Sequence, residues 1–160
     1  MKVRFNVNGE AVEVEARADE MLLGILRGKL DVTSVRYTCG VGVCGACTAL
    51  VDGEPISTCI LLAPLAEGKE ITTVEGLGGD HPVQRTFVEA EAFQCGYCTP
   101  GMILTAKSLL EENPEPTDEK IRAYMSGNLC RCGCYAKIED AVNLAASASK
   151  AAAAPIKGGA

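Results

Sequence analysis

Residues 39–47 read Cys39-Gly-Val-Gly-Val-Cys44-Gly-Ala-Cys47, and eleven residues intervene before a fourth thiol at Cys59. Four intervening residues, then two, then a distant cysteine form a ligand ladder, in which a loop wraps a metal centre with three thiolates and a returning strand supplies the last. Gly40, Gly42 and Gly45 serve the wrap. Without a Cβ they can take positive φ and bring backbone N–H groups close to sulfurs whose negative charge those groups stabilise. A structural zinc ion also accepts four thiolates, but its ligands usually come as two short knuckle pairs rather than three cysteines within nine residues. The spacing is that of a plant-type [2Fe–2S] loop, and such a cluster is the expectation here.

The bulk composition is consistent with that reading. The chain has 160 residues, room for one domain or two small ones, and no apolar run long enough to cross a membrane. A net charge of −6 with no basic cluster makes nucleic acid and anionic membrane poor partners. The N-terminus alternates apolar and polar residues and shows neither a secretory nor a twin-arginine signal, so the cytoplasm is the expected location. Nine cysteines without an export signal favour reduced thiols and metal over a disulfide scaffold, and the odd count leaves one spare. With no Trp and few aromatics, a ligated cluster that ties distant segments together would add stability that a small core lacks.

Val3, Phe5 and Val7 alternate with polar residues up to Asn8-Gly9, and Val12 and Val14 alternate beyond it, the pattern of a β-hairpin with a type I′ turn. Leu22, Ile25 and Leu26 then share a helical face, with Asp19 placed to cap the start and Gly28 near the end. After the cysteine loop come a strand from Thr48 to Val51, a turn at Asp52-Gly53, a returning strand through Ile56 that delivers Cys59, and a last strand at Ile71 to Val74. Residues 1–75 thus run strand, strand, helix, loop, strand, strand, strand, which is a β-grasp order.

Gly76-Leu-Gly-Gly-Asp-His-Pro82 reads as a hinge, and beyond it the apolar period is helical. Val83 and Phe87 open one helix. Met102, Ile103, Ala106, Leu109 and Leu110 stripe a second that stops at Asn113-Pro114-Glu-Pro116. Thr117 caps a third, and Ile138, Ala141, Val142 and Ala145 mark a fourth. The fold class expected is α+β, a β-grasp, ferredoxin-like domain over 1–75 followed by a small four-helix bundle over 83–146. From about Ser147 the composition of Ala, Lys and Gly reads as a flexible tail to residue 160.

Cys95-Gly-Tyr-Cys98 and Cys130-Arg-Cys132 each precede a helix, so four thiolates can converge at two helix N-termini, whose partial positive charge would lower their pKa values. Taken alone, this pair of turns suits a second iron–sulfur cluster, a zinc ion or a redox CxxC.

Cys39-Gly-Val-Gly-Val-Cys44-Gly-Ala-Cys47-Thr48, Gln94-Cys95-Gly-Tyr-Cys98-Thr-Pro-Gly101 and Gly127-Asn128-Leu129-Cys130-Arg131-Cys132 resemble the signatures of the small iron–sulfur subunit of the xanthine dehydrogenase/aldehyde oxidase family of molybdenum hydroxylases. The resemblance extends to about residue 145. It implies two [2Fe–2S] clusters, on Cys39, Cys44, Cys47 and Cys59 and on Cys95, Cys98, Cys130 and Cys132. It also implies a molybdopterin-binding large subunit, an FAD-binding medium subunit, and a heterotrimer that dimerises. Cys132 and Gln94 would lie nearest the pterin. The chain departs from the family at Gly133-Cys134-Tyr135, where Thr-Gly-Tyr is usual.

The ninth thiol, Cys134, reads as a packed free cysteine, with replacement of Cys132 as the alternative. Gln94 could equally be a capping or interface amide. His81, beside Pro82, reads as a turn residue. Glu89, Glu91, Glu111 and Glu112 fit a solvated surface, and no nucleophile–base pair is visible, so no catalytic residue is expected on this chain. The leading function is electron transfer within a molybdenum hydroxylase. The alternatives are a free-standing ferredoxin-type shuttle, which leaves the helical half unexplained, and a zinc-stabilised adaptor.

Overall fold

A computed structural model describes residues 1–153. β1 (Lys2–Val7) and β2 (Glu10–Glu15) form the opening hairpin, with Val3 opposite Val14 and Phe5 opposite Val12. Its turn, Asn8-Gly9, has φ of 54° and 85°, as a type I′ turn requires. α1 (Leu22–Gly28) buries Leu22, Ile25 and Leu26 against the sheet. Asp19 does not cap it: the N-cap is Met21 with no side-chain bond, and Asp19 pairs instead with Arg17. The ion pair holds the carboxylate two residues too early to reach the first turn.

β3 (Thr48–Val51) and β4 (Glu54–Ser57) form the second hairpin, and β5 (Glu70–Thr72) completes a sheet of order β2-β1-β5-β3-β4. β5 runs parallel to β1 and antiparallel to β3. This is the mixed sheet of a β-grasp. β5 ends at Thr72 rather than Val74 because Val74–Leu77 winds into a 3₁₀ turn.

The second half contains α2 (Pro82–Glu89), α3 (Thr99–Glu112), α4 (Asp118–Met125) and α5 (Tyr135–Ala153). Thr117 caps α4 through a bond from Lys120 N–H. His81 caps α2: its ring accepts from Val83 N–H, and its own backbone N–H donates to Gln84. α5 continues through Ser147, where the composition suggests a tail, because Leu144, Ala145 and the Ala/Ser run after them are compatible with helix. Residues 154–160 lie outside the described residues.

Each half has its own core, one around Phe5, Leu22, Leu26 and Ile71, the other around Phe87, Met102, Leu109 and Val142. The halves also pack together. α3 lies on β3 and β4, and Leu50 on β3 and Leu104 on α3 are fully buried yet belong to neither core. The connecting segment is fastened at its start. Thr73 N–H donates to Asn8 Oδ1 at 2.8 Å, Ser34 N–H donates to Glu75 at 3.0 Å, and Gln84 reaches back to the Val74 carbonyl at 3.3 Å. No helix of the described residues is long and apolar enough to cross a membrane.

Candidate metal centres

The loop from Cys39 to Cys47 turns through Gly40, Gly42 and Gly45, at φ of 70°, 77° and 66°. Those turns aim N–H groups at sulfur: Val41, Val43 and Cys44 donate towards Cys39, and Gly42 towards Cys59. The four thiols form two neighbouring pairs, Cys39 with Cys44 and Cys47 with Cys59. The Val41 N–H, followed by the Cys44 thiol and the Val43 N–H, holds Cys39 down at about 6, whereas burial pushes Cys59 up to about 11.

The second set repeats the arrangement. Cys95 neighbours Cys132, and Cys98 neighbours Cys130, across the turns that precede α3 and α5. Cys95 is exposed and its pKa is lowered, first by the Tyr97 N–H and then by the Cys132 thiol. Burial raises Cys130, but the Cys134 N–H and the Cys98 thiol outweigh it and leave a net lowering. Cys98, at the N-cap of α3, does not follow the expected lowering: burial pushes it up to about 12, because desolvation of a thiolate outweighs the helix terminus. Cys134 packs behind Cys130, buried, while Gln94 stands exposed at the rim beside Cys95.

The donor set suits a dinuclear cluster. Thiolates are soft ligands of iron, and a [2Fe–2S] centre takes four cysteines in total. With two ligands at each iron, the demand is for two pairs.

The two thiol sets meet at a built junction. Leu129 N–H donates to the Cys44 carbonyl at 2.9 Å, so the residue beside Cys130 is bonded to a ligand candidate of the other half. The neighbouring Asn128 is buried. Its amide N–H donates to the Gly45 carbonyl at 3.1 Å, and its Oδ1 accepts from Thr105 at 3.0 Å. A Cβ on Gly45 would fall 2.6 Å from both Asn128 Nδ2 and the Gly127 carbonyl, so this glycine answers to the junction as well as to its φ. Tyr97 adds a bond from its hydroxyl to the Tyr37 carbonyl at 2.8 Å. In the sequence, Gly127-Asn128 stands only as the lead-in to the Cys130-Arg131-Cys132 signature. The signal available is the amide directly before a cysteine motif, but its partner lies 83 residues away.

Residues 5–74 match a family described as "2Fe-2S iron-sulfur cluster binding domain", and residues 73–143 one described as "[2Fe-2S] binding domain". The chain is 50% identical to the nicotinate dehydrogenase small FeS subunit of Eubacterium barkeri, over 89% of this chain and 93% of that one. It is likewise 50% identical to one of the nicotinate dehydrogenase chains of Pseudomonas putida, over 90% and 94%. Among solved structures, one chain of quinoline 2-oxidoreductase from Pseudomonas putida 86 superposes with a TM-score of 0.89 at 41% identity, covering 94% of this chain and 96% of that one.

Fold, thiol sets and relatives define an electron-transfer iron–sulfur subunit of an oxidoreductase complex, carrying two [2Fe–2S] clusters. The chain belongs to the small [2Fe–2S] subunits of the xanthine dehydrogenase/aldehyde oxidase family of molybdenum hydroxylases, and its partners include a large subunit. In this family molybdopterin and FAD reside on partner subunits.

Proposed function

We propose that Cys39, Cys44, Cys47 and Cys59 hold one cluster and Cys95, Cys98, Cys130 and Cys132 the other, and that the domains divide at residues 76–82. The observation that carries the assignment is that each set gathers four thiols, Cys39 beside Cys44 and Cys47 beside Cys59 in one, Cys95 beside Cys132 and Cys98 beside Cys130 in the other, with Cys134 a further neighbour of Cys130. When bound, each cluster supplies a one-electron redox centre. The chain's own residues hold the thiolates in pairs, direct loop N–H groups at them, and keep water from Cys47, Cys59 and Cys130, all buried. Hydrogen bonds to sulfur and exclusion of solvent are what tune such a centre.

The helical domain faces the molybdopterin-binding large subunit, with Gln94 and Cys132 towards the pterin, and the β-grasp domain faces an FAD-binding medium subunit or an external acceptor. Two apolar collars support docking at both ends: Val41, Val43 and Ile60 are exposed around the first thiol set, and Phe93, Leu129 and Tyr135 around the second. Two such heterotrimers pair in the cytoplasm. The 50% identity to nicotinate dehydrogenase chains from two organisms points to an N-heteroaromatic substrate for the complex.

Co-purification tests the assembly, and anaerobic addition of nicotinate tests the substrate class. The complex should contain two larger chains, one with molybdenum and one with FAD, and its visible iron–sulfur absorption should bleach. Purification of the chain alone as a stable monomer would favour the ferredoxin-type shuttle.

A further inference from the structure

We infer that Asn128 is the positioning residue for electron transfer between the two clusters, because it fixes the hydrogen bond that joins Cys44 to the main chain entering Cys130. The inference rests on the ligand assignment proposed above. From the Cys44 sulfur the connection runs through that residue's own Cβ, Cα and carbonyl, across the 2.9 Å bond to Leu129 N–H, and along the backbone to Cys130. It is the one backbone hydrogen bond, among the described residues, that directly ties the Cys39–Cys47 loop to the Cys130–Cys132 turn.

A junction of this kind has to be held. Leu129 is exposed, so its own side chain does not anchor it. The anchor is the residue before it. Asn128 is 5% exposed, and its two amide atoms are used in opposite directions, donating to Gly45, one residue past Cys44, and accepting from Thr105 on α3. Gly45 is tied in turn to its own domain, since its carbonyl also accepts from Thr48 Oγ1 at 2.7 Å. One side chain therefore locks the residue after Cys44 to the residue two before Cys130. A buried amide satisfied on both sides is costly to disturb and resists drift.

The step served is a single-electron transfer. With both clusters bound, Cys95, Cys98, Cys130 and Cys132 would hold the centre that gives up one electron and Cys39, Cys44, Cys47 and Cys59 the centre that takes it, with no bond made or broken and no proton moved. The electron comes from substrate oxidation at the large subunit.

Two variants test this in the assembled complex, with flash photoreduction to follow the rate between clusters and low-temperature EPR to read the magnetic coupling between the two reduced centres. Asn128→Ala should keep iron content, the EPR signal of each centre and both potentials. The inter-cluster rate should fall severalfold, and the magnetic coupling should weaken, because both depend on the contact that Asn128 holds. Thr105→Val, which removes only the bond to Asn128 Oδ1, should shift both readouts the same way by less. If Asn128→Ala loses a cluster, Thr105→Val decides alone. Wild-type rate and coupling in a variant that holds both clusters would overturn the inference. Cys44→Ser or Cys130→Ser chains that still carry both centres unchanged would remove the ligand assignment beneath it.

Discussion

The carbonyl oxygen of Gly45 lies where a side chain on Gly101 would begin, so the cysteine loop of one domain is seated directly against the first turn of α3 in the other. Neither atom can give way, since one is backbone and the other would be a Cβ fixed to a helix. Gly101→Ala should force the two domains apart at this point and cost about 1–3 kcal/mol, as overpacking of a filled interior does. Gly127→Ala, whose Cβ would meet nothing within 4 Å, should stay within about 0.5 kcal/mol of wild type. Thermal unfolding of the loaded chain compares the two.

Glu75 gives the domain connection a pH dependence. Burial raises its pKa, but bonds from the Ser34 and Thr73 hydroxyls and from the Ser34 N–H outweigh that and leave it below its usual 4.5. A carboxylate with a depressed folded pKa contributes stability that is full above the unfolded value and is lost as pH falls through the folded one. Protection of the Ser34 amide from hydrogen exchange, corrected for intrinsic rate, should therefore hold from neutral pH to about 4.5 and drop below it. Glu75→Gln should show the weaker protection at every pH and no such drop.

What the sequence made legible was local chemistry. Asn8-Gly9 and Asp52-Gly53 place two hairpins because φ is positive at both residues of each turn. The spacing of Cys39, Cys44 and Cys47 encodes a wrapping loop within nine residues. Thr117 shows as a cap because its partner is Lys120 N–H. Asp19 misleads because a nearer partner, Arg17, takes the carboxylate. Asn128 and Gly101 stand inside the signatures that carry the resemblance, but their part in a domain junction could not be read, because their partners at Gly45 are distant in sequence. The helix beyond Ser147 is hidden for the opposite reason, since alanine-rich sequence suits helix and solvent equally.

Cys134 should prove to be a neighbour of the helical-domain cluster rather than a ligand. Its thiol is buried, kept protonated by that burial, and lies against Cys130, towards which its N–H and S–H both point. Cys134→Ala should retain about four irons per chain. Removing one donor to a ligand sulfur should lower the potential of that centre alone, because hydrogen bonds to sulfur favour the reduced, more negative state. An EPR-monitored titration reads the shift. Iron falling to about half would identify Cys134 as a ligand instead.

If the helical domain faces the molybdopterin subunit and the β-grasp domain faces the acceptor, the two thiol sets lie in series, joined at Leu129 and Cys44. Loss of either set then has unequal consequences. Cys44→Ser, which damages only the β-grasp cluster, should leave the helical-domain cluster reducible by substrate while delivery of electrons to the acceptor stops. Cys98→Ser should leave neither centre reducible by substrate, although the β-grasp cluster should still accept electrons from dithionite, which shows that it is present. Rapid-mixing spectra of the assembled complexes distinguish these outcomes, with size-exclusion profiles to show that each variant still binds its partners. A Cys98→Ser complex whose β-grasp cluster fills from substrate at the wild-type rate would reverse the order or replace it with two parallel routes.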